Sequence, residues 1–246
     1  MKSPGKSSLK AGVLAAGRGE RLRTRPGELK PLVKVADETL IERVLNSMAE
    51  AGATDVTVII NEESGAVRDH VTQRDWPFAL SWIVETTPTS MHSFLRLVET
   101  LAAHGNAGPF LVSTVDTVAA AQTFARFIAE ARQQETASVV LALGSPGNDT
   151  KPLLVRMAPG DSRVIALGDA AAPSQHATAG IYAVRPNILR EAEGARRDGI
   201  DALRNFFGRL LERGYPLAGV PIPSAIDVDR PADIETAEAF LRSARG

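Results

Sequence analysis

The sequence contains no cysteine, which excludes disulfides, thiolate catalysis and cysteine-ligated zinc. It also lacks an excess of charge of either sign, since 28 lysines and arginines face 29 aspartates and glutamates. A balanced charge favours neither nucleic acid nor an anionic membrane as partner, so any affinity for phosphate must be local. No apolar run approaches the roughly 20 residues of a membrane-spanning helix. We therefore expect a cytoplasmic protein without nucleic-acid or membrane partners.

Hydrophobic residues make up 44% of the chain, which is enough for a substantial core although only 5% of the residues are aromatic. The first eight residues are polar and contain no apolar segment of the kind found in a signal peptide. We expect residues 1–8 to form a flexible tail and residues 9–246 to form a single domain. Composition does not decide between a monomer and a homo-oligomer.

The segment of residues 12–35 begins with an apolar run that predicts a buried strand and continues into a glycine-containing turn. Because glycine has no Cβ atom, Gly17 and Gly19 can take positive φ and let backbone N–H groups approach an anion. Arg21 and Lys30 follow the turn and can neutralise the charge of that anion. The pattern indicates a phosphate-binding loop with a triphosphate as its ligand.

Spacing separates the known kinds of phosphate-binding loop. A dinucleotide fingerprint needs a third small residue where this chain has Leu22, which argues against hydride transfer. Residues 5–7 (GKS) resemble the end of a Walker A loop, but no strand precedes them. What remains is a resemblance to a nucleotidyltransferase signature, and the alternative is a tight turn surrounded by solvated charges.

The same segment resembles the signature of the sugar-phosphate and phosphocholine nucleotidyltransferases, a superfamily that includes the NDP-sugar pyrophosphorylases. That signature is LAAGxGxRL followed by a Lys-Pro-Leu segment. The matching residues are Leu14, Ala15, Ala16, Gly17, Gly19, Arg21 and Leu22, then Lys30, Pro31 and Leu32. The resemblance implies that residues 14–17 and Gly19 bind the nucleotide. It also implies catalytic roles for Lys30 on the phosphates and for Arg21 on the departing pyrophosphate.

Strand and helix patterns alternate after the loop. Apolar residues from Ile41 to Met48 recur at helical spacing, and residues 55–61 form a β-branched strand. A strand-helix-strand unit is right-handed and parallel, and its ligand site lies at the carboxyl ends of the strands. The chain is therefore predicted to be α/β. The resemblance implies a three-layer α/β/α, Rossmann-like (GT-A-like) fold with a mostly parallel mixed sheet.

A hydroxyl-rich turn at residues 86–90 precedes a predicted helix. Thr89 and Ser90 suit the capping of that helix. In the resembling family a turn at this place contacts the base and ribose of the nucleotide. The same two residues are therefore candidates for nucleotide binding.

An apolar strand of residues 110–115 ends in Asp116. A carboxylate at the end of a parallel strand projects into the ligand crevice, where it can bind a divalent metal that bridges nucleotide phosphates. The alternative is that Asp116 caps a helix predicted to begin near Ala119.

Residues 226–233 resemble the closing motif of the family, an acidic pair before a helix that opens at proline. Asp227 aligns with the second metal carboxylate of the family. Asp229 lies two residues on, on the same strand face, so both can reach one ion. The resemblance implies Mg²⁺ as the cofactor, shared by Asp116 and Asp227. Asp229 or Asp233 is alternatively a helix cap.

Residues 178–184 resemble the AGIY strand of the family, which lies under the sugar or alcohol phosphate. The resemblance implies that Gly180 lets this substrate approach closely, although glycine in a strand is also typical of a bulge. Many sugar-nucleotide enzymes carry a Glu-Lys pair shortly before this strand, where this chain has residues 168–170 (GDA). Lys151 and Arg163 are candidates to replace that lysine.

These features predict a Mg²⁺-dependent nucleotidyltransferase of the kind used in NDP-sugar biosynthesis. Its partners are an NTP and a small phosphomonoester, either a sugar 1-phosphate or an alcohol phosphate such as phosphocholine or inositol phosphate. An oxygen of the acceptor attacks the α-phosphorus in line and pyrophosphate leaves, which requires no protein nucleophile. Two alternatives stay open: a catalytically silent relative that serves as a regulatory subunit, and a GT-A glycosyltransferase.

Overall fold

A computed structural model of the protein describes residues 8–22, 28–147 and 151–244. All of the predicted tail except Ser8 lies outside the described residues, and this includes the Walker A-like residues 5–7. Ser8 itself is hydrogen-bonded through Oγ to Oγ1 of Thr54, at 2.8 Å.

Thirteen strands and seven α-helices make up the regular structure of the described residues. The strands are β1 Leu9–Ala15, β2 Lys34–Val35, β3 Glu38–Thr39, β4 Ala53–Ile60, β5 Ala79–Val84, β6 Phe110–Thr114, β7 Thr117–Ala119, β8 Val139–Gly144, β9 Val155–Met157, β10 Val164–Leu167, β11 Ala177–Val184, β12 Leu217–Pro221 and β13 Ala225–Asp227. The helices are α1 Leu40–Glu50, α2 Gly65–Val71, α3 Ser90–Ala102, α4 Thr123–Gln133, α5 Ala192–Arg197, α6 Leu203–Glu212 and α7 Pro231–Ser243. None of these helices combines the length and the apolar character needed to cross a bilayer.

Seven strands form the central sheet in the order β12-β8-β11-β6-β1-β4-β5. β1 runs parallel to both β4 and β6, and the β4–β5 and β12–β8 pairs are also parallel. β11 is antiparallel to both of its neighbours. The predicted mostly parallel mixed sheet is therefore confirmed. The carboxyl ends of β1, β4 and β6 meet at one edge of the sheet, as the parallel pairing requires.

Apolar layers cover both faces of the sheet. On one face the predicted stripe of α1 is buried against alternate residues of β1, and Ile41 and Met48 are fully excluded from solvent. On the other face α3 packs against α6, where the rings of Phe94 and Phe207 meet edge to face with centroids 5.6 Å apart. Two cores on opposite faces give the three-layer arrangement.

Local sequence determines where α1 begins. Thr39 Oγ1 accepts a hydrogen bond from the backbone N–H of Glu42 at 3.3 Å, and Glu42 Oε2 accepts one from the N–H of Thr39 at 2.9 Å. This reciprocal capping box satisfies two backbone donors that the first turn of a helix leaves unpaired. It thereby fixes the start of the helix that follows the loop of Lys30.

Two segments with a helical sequence pattern differ from a single continuous helix. Apolar residues recur at helical spacing in residues 186–213, but this segment is divided into a 3₁₀ segment, α5 and α6, because Gly199 takes a positive φ of 68° between the two α-helices. Arg209 holds the pieces together through Glu191 at 3.1 Å and Asp198 at 2.7 Å. The helix expected near Ala119 begins later, at Thr123.

The residues directly after Asp116 form β7 rather than a helix. β7 pairs antiparallel with β13, and Asp227 lies opposite Thr117 in the register. In addition, the N–H of Val228 donates to the carbonyl of Asp116 at 3.0 Å. Asp116 thus lies in a turn between β6 and β7, and backbone pairing brings a segment more than a hundred residues later beside it.

Candidate active site

Two cavities adjoin at the carboxyl edge of the sheet. The large cavity, of about 890 Å³, is lined by the ends of β1 and β6, by residues 16–21 and by residues 86–90. The small cavity, of about 370 Å³, is lined by Gly180, β13 and the start of α7. Arg21 and Asp229 line both cavities, so these two side chains lie where the cavities meet.

Three carboxylates converge at this junction. Asp116, Asp227 and Asp229 each place a carboxylate oxygen within 4.8 Å of the other two. They come from the β6–β7 turn, from the end of β13 and from the segment before α7. The three predicted metal-binding aspartates are thus brought together, although more than a hundred residues separate the first from the others.

Lys30 is buried among these carboxylates. Its Nζ atom donates to Oδ2 of Asp116 and to Oδ1 of Asp229, each at 2.5 Å, and its side chain is only 9% exposed. Burial alone lowers the pKa of Lys30, but the two carboxylates outweigh that effect and raise it. For Asp116 burial likewise opposes the charged form, and the ammonium group of Lys30 holds the pKa below its usual range. Both groups of this pair are therefore charged.

Lys30 forms ion pairs with Asp116 and Asp229 but not with Asp227, so it offsets the mutual repulsion of the three carboxylates less at Asp227. Desolvation and then the charges of Asp116 and Asp229 raise the pKa of Asp227 to about 9. Oδ1 of Asp116 is buried and, within the described residues, without a hydrogen-bond partner. Mg²⁺ prefers carboxylate oxygens as ligands, and a buried carboxylate oxygen without a hydrogen-bond partner is available to bind it. The three residues therefore fit a hard divalent cation.

The two glycines of the first loop have different roles. Gly19 takes a φ of +61°, and a Cβ atom there would lie 2.4 Å from Cβ of Lys30. Gly17 does not take positive φ, and a Cβ atom at that position would meet nothing within 4 Å. The prediction of positive φ is right for Gly19 and wrong for Gly17. Gly19 is required by the close passage of the chain over Lys30.

The end of β1 and the residues directly after it line the large cavity. Leu14, Ala16 and Gly17 line it, whereas Ala15 packs into the core on the other face of the sheet, with 1% exposure. Arg21 reaches the cavity edge with a side chain that is 72% exposed, and its Nη1 lies 3.7 Å from Oδ2 of Asp229. The predicted loop residues other than Ala15 therefore face one space.

Thr89 and Ser90 also line the large cavity, together with the loop of Gly17. Thr89 makes no side-chain capping bond, because its Oγ1 is hydrogen-bonded to Nδ1 of His92 at 2.8 Å. Oγ of Ser90 accepts a hydrogen bond from the N–H of Leu203 at 3.2 Å. Capping therefore does not account for the hydroxyl of Thr89, and that of Ser90 ties α3 to α6.

Gly180 lies against the turn that carries Asp116. It takes a φ of +71°, and a Cβ atom would lie 2.2 Å from Oγ1 of Thr117 and 2.7 Å from Oγ1 of Thr114. Those two hydroxyls are hydrogen-bonded to each other at 2.9 Å on either side of Asp116. The register of β11 with β8 also shifts between Thr178 and Tyr182, so the bulge alternative holds. The space left by the missing side chain accommodates the turn that carries Asp116.

The sequence comparison identifies the fold family. Residues 11–187 match the model of the MobA-like NTP transferase domain. The chain belongs to this family. The resemblance that the loop motif indicated is thereby confirmed, and it extends well beyond that motif.

This NTP transferase domain also matches curated proteins that are longer than itself. It is 28% identical over 249 residues to the bifunctional IPC transferase and DIPP synthase of Rubrobacter xylanophilus, which covers 98% of this chain and 53% of that protein. It is 28% identical over 113 residues to mannose-1-phosphate guanyltransferase 2 of Candida glabrata, with 45% of this chain and 31% of that protein covered. The chain spans about half or less of the length of these relatives.

Solved structures share the fold of this NTP transferase domain. The inositol-1-phosphate CTP transferase from T. maritima superposes with a TM-score of 0.78 over 97% of this chain and 96% of that chain, at 16% identity. The UTP-bound UGPase from Acinetobacter baumannii gives a TM-score of 0.74 over 95% of this chain and 93% of that chain, at 14% identity. At such low identity these likenesses establish the architecture.

Sequence reasoning did not find one basic residue of this NTP transferase domain. Arg230 lines the small cavity and forms no ion pair with any described residue. Its backbone N–H donates to Oδ2 of Asp233 at 2.7 Å, so Asp233 is the cap of α7 that the sequence allowed. Neither Lys151 nor Arg163 lines the large or the small cavity, and Arg163 instead lies 3.5 Å from Asp161. An arginine before a helix-opening proline carries no signal that separates it from a surface residue.

Proposed function

We propose that this domain joins an NTP to a small phosphomonoester, with Mg²⁺ as cofactor and release of pyrophosphate. The observation that carries the proposal is the cluster of Lys30 and three carboxylates at the junction of two cavities of unequal size. A triphosphate nucleotide needs the large cavity, and a phosphorylated sugar or alcohol fits the small one. The reacting phosphates then meet beside the only group of carboxylates found close enough among the described residues to hold a metal.

The reaction is a displacement at phosphorus. An oxygen of the acceptor phosphate forms a bond to the α-phosphorus as the bond from that phosphorus to the bridging oxygen breaks, and pyrophosphate leaves with the electron pair. Lys30 supplies positive charge to the phosphates, and Arg21 supplies it at the cavity edge where pyrophosphate departs. When bound by Asp116 and Asp227, with Asp229 within reach, Mg²⁺ neutralises charge on the phosphates. Alignment and charge neutralisation provide the catalysis.

The acceptor phosphate is held by Arg230 in this proposal. Arg230 lines the small cavity and not the large one, and a guanidinium group pairs well with phosphate oxygens. It takes the place of the lysine that the Gly168–Ala171 segment does not supply. The relatives include an IPC transferase and a mannose-1-phosphate guanyltransferase, which supports an alcohol phosphate or a sugar 1-phosphate as the acceptor class.

Pyrophosphate release tests the proposal. ATP, CTP, GTP and UTP are each incubated with Mg²⁺ and with inositol 1-phosphate, phosphocholine, glucose 1-phosphate or mannose 1-phosphate. One NTP and one acceptor class are expected to give equal amounts of pyrophosphate and of the nucleotide-linked product. Thermal stabilisation by an NTP without pyrophosphate release would instead indicate the silent regulatory relative. Consumption of a nucleotide-sugar would indicate a glycosyltransferase.

A further inference from the structure

A buried asparagine lies against the end of β1. Asn61 follows β4 directly, is 7% exposed and lines the large cavity. Its Nδ2 donates to the carbonyl oxygen of Ala16 at 3.1 Å, and its Oδ1 accepts a hydrogen bond from Oγ of Ser64 at 2.7 Å. Ser64 is itself 2% exposed. Both ends of the Asn61 amide are therefore engaged out of solvent.

The carbonyl oxygen of Ala16 determines which way the amide faces. Because that oxygen can only accept, the N–H₂ end of Asn61 is directed to Ala16, and Oδ1 accepts from the hydroxyl of Ser64. The C=O and N–H groups of a trans peptide point in opposite directions. The carbonyl of Ala16 faces Asn61, so the N–H of Gly17 faces away from it. Within the described residues that N–H makes no hydrogen bond.

Within the described residues, the hydrogen bond from Asn61 is the one that the peptide between Ala16 and Gly17 makes. A Cβ atom at Gly17 would meet nothing within 4 Å, so no neighbouring side chain packs against the chain at that position. The N–H of Glu62, next to Asn61, donates to Oγ1 of Thr86 at 3.2 Å. The segment that begins at Asn61 thus contacts both the loop of Gly17 and the turn of residues 86–90, which also lines the large cavity.

We infer that Asn61, held by Ser64, is a positioning residue for the NTP. Its amide fixes the peptide between Ala16 and Gly17 so that the N–H of Gly17 donates to an acceptor atom of the bound nucleotide. The inference rests on the proposed function, because it takes the nucleotide to bind in the large cavity. A buried amide that served only packing would be replaceable by an apolar side chain of the same size without effect on ligand affinity.

Uncharged variants test this inference. Asn61→Leu keeps the size and removes the donor to Ala16, and Ser64→Ala keeps Asn61 but removes the donor that holds its Oδ1. We expect Asn61→Leu to raise both the Kd and the KM for NTP by about tenfold, as loss of one well-placed hydrogen bond does. The KM for the phosphomonoester is expected to stay within about twofold of the wild type. Ser64→Ala is expected to have an intermediate effect, and Ser64→Thr, which keeps a hydroxyl, to restore wild-type affinity.

A second asparagine–serine pair provides a control. Asn187 is itself exposed, but it donates through Nδ2 to Oγ of the buried Ser138 at 2.8 Å, and Ser138 lies at the opposite edge of the sheet, before β8 begins. Asn187→Leu removes a donor to a buried serine that does not line the large cavity, and it is expected to leave the Kd for NTP unchanged. If Asn61→Leu lowers the Tm but binds NTP with wild-type affinity, the role of Asn61 is structural and the inference is overturned.

Binding and turnover are measured separately, so that the two proposals can fail separately. Calorimetry with Mg²⁺ and without an acceptor gives the Kd for ATP, CTP, GTP and UTP without turnover. A wild-type protein that binds one of them but releases no pyrophosphate contradicts the proposed reaction, and the comparison of Asn61→Leu with Asn187→Leu still decides the inference. A wild-type protein that binds none of the four contradicts both.

Discussion

The ammonium group of Lys30 lies 2.5 Å from Oδ2 of Asp116, across 86 positions of the sequence. The same group lies 2.5 Å from Asp229, which follows β13. One side chain therefore connects the first loop, the β6–β7 turn and the segment before α7. The contact places a cation of the protein on two of the three carboxylates of the acidic cluster.

Substitution of Lys30 by methionine is expected to destabilise the protein by about 3 kcal/mol in EDTA, because it leaves Asp116 buried without its cation. Saturating Mg²⁺ is expected to recover part of this loss, since an ion bound to the carboxylates supplies the missing charge. Urea denaturation with EDTA and with Mg²⁺ measures both effects. Lys34→Met, at an exposed lysine on β2, is the control and is expected to show neither effect. An equal loss with and without Mg²⁺ would contradict the metal site.

Asp116→Asn tests the acidic cluster directly. The variant is expected to fold and to lose pyrophosphate release by ~10²–10³-fold, the usual effect of removing one electrostatic group from an active site. Its affinity for Mn²⁺, followed by electron paramagnetic resonance, should fall in parallel. Asp161→Asn changes an exposed aspartate that lies 3.5 Å from Arg163, and should leave both quantities unchanged. Wild-type turnover in Asp116→Asn would remove this residue from the mechanism.

The two loop glycines give a matched pair of variants. Gly19→Ala forces a side chain to a φ of +61° and a Cβ to within 2.4 Å of Lys30, so we expect a loss of about 1–2 kcal/mol and a strong fall in turnover. Gly17→Ala meets no atom within 4 Å and is expected to keep wild-type stability. Thermal unfolding and initial rates are measured for both. Equal destabilisation by the two substitutions would be inconsistent with the different backbone conformations of the glycines.

Arg230→Met is expected to raise the KM for the phosphomonoester about tenfold and to leave the KM for NTP nearly unchanged, because Arg230 lines only the small cavity. Arg230→Lys should recover part of the affinity by restoring a positive charge. The control is Arg242→Met, which changes an arginine in the last turn of α7, near Glu238. If Arg230→Met raised the KM for NTP and not for the acceptor, the assignment of the two cavities would be reversed.

The capping box of α1 predicts a dependence of stability on pH. Burial opposes ionisation of Glu42, but hydrogen bonds from Thr39 and the nearby His70 prevail and lower its pKa from 4.5. A carboxyl whose pKa is lower in the folded state stabilises the fold above the unfolded pKa and loses that contribution as pH falls through the folded one. Below pH 4.5 the free energy of unfolding should therefore fall more steeply for the wild type than for Glu42→Gln. Parallel slopes in urea titrations would contradict this.

The features predicted correctly from the sequence are those that hydrophobic periodicity and local motifs encode. Alternating strand and helix patterns gave the α/β architecture, and the strand that ends in Asp116 placed a carboxylate at the correct edge of the sheet. β7 and β13 have three residues each and are too short to show the alternation of apolar and polar residues typical of a strand. Neither their pairing nor the later start of α4 was therefore predicted. Arg230 and Asn61 were missed because their importance comes from what they contact in space. A lone arginine or asparagine in a sequence does not show those contacts.

The pairing of β7 with β13 has a consequence for biosynthesis. Asp116 and Lys30 emerge from the ribosome well before Asp227 and Asp229, and those two are held in place by a strand of three residues that leads into α7. A nascent chain that already contains the first loop and most of the sheet still presents an incomplete set of carboxylates. The acidic cluster is therefore complete only once β13 has been synthesised, and a chain interrupted before β13 would contain all seven strands of the central sheet but one of the three carboxylates.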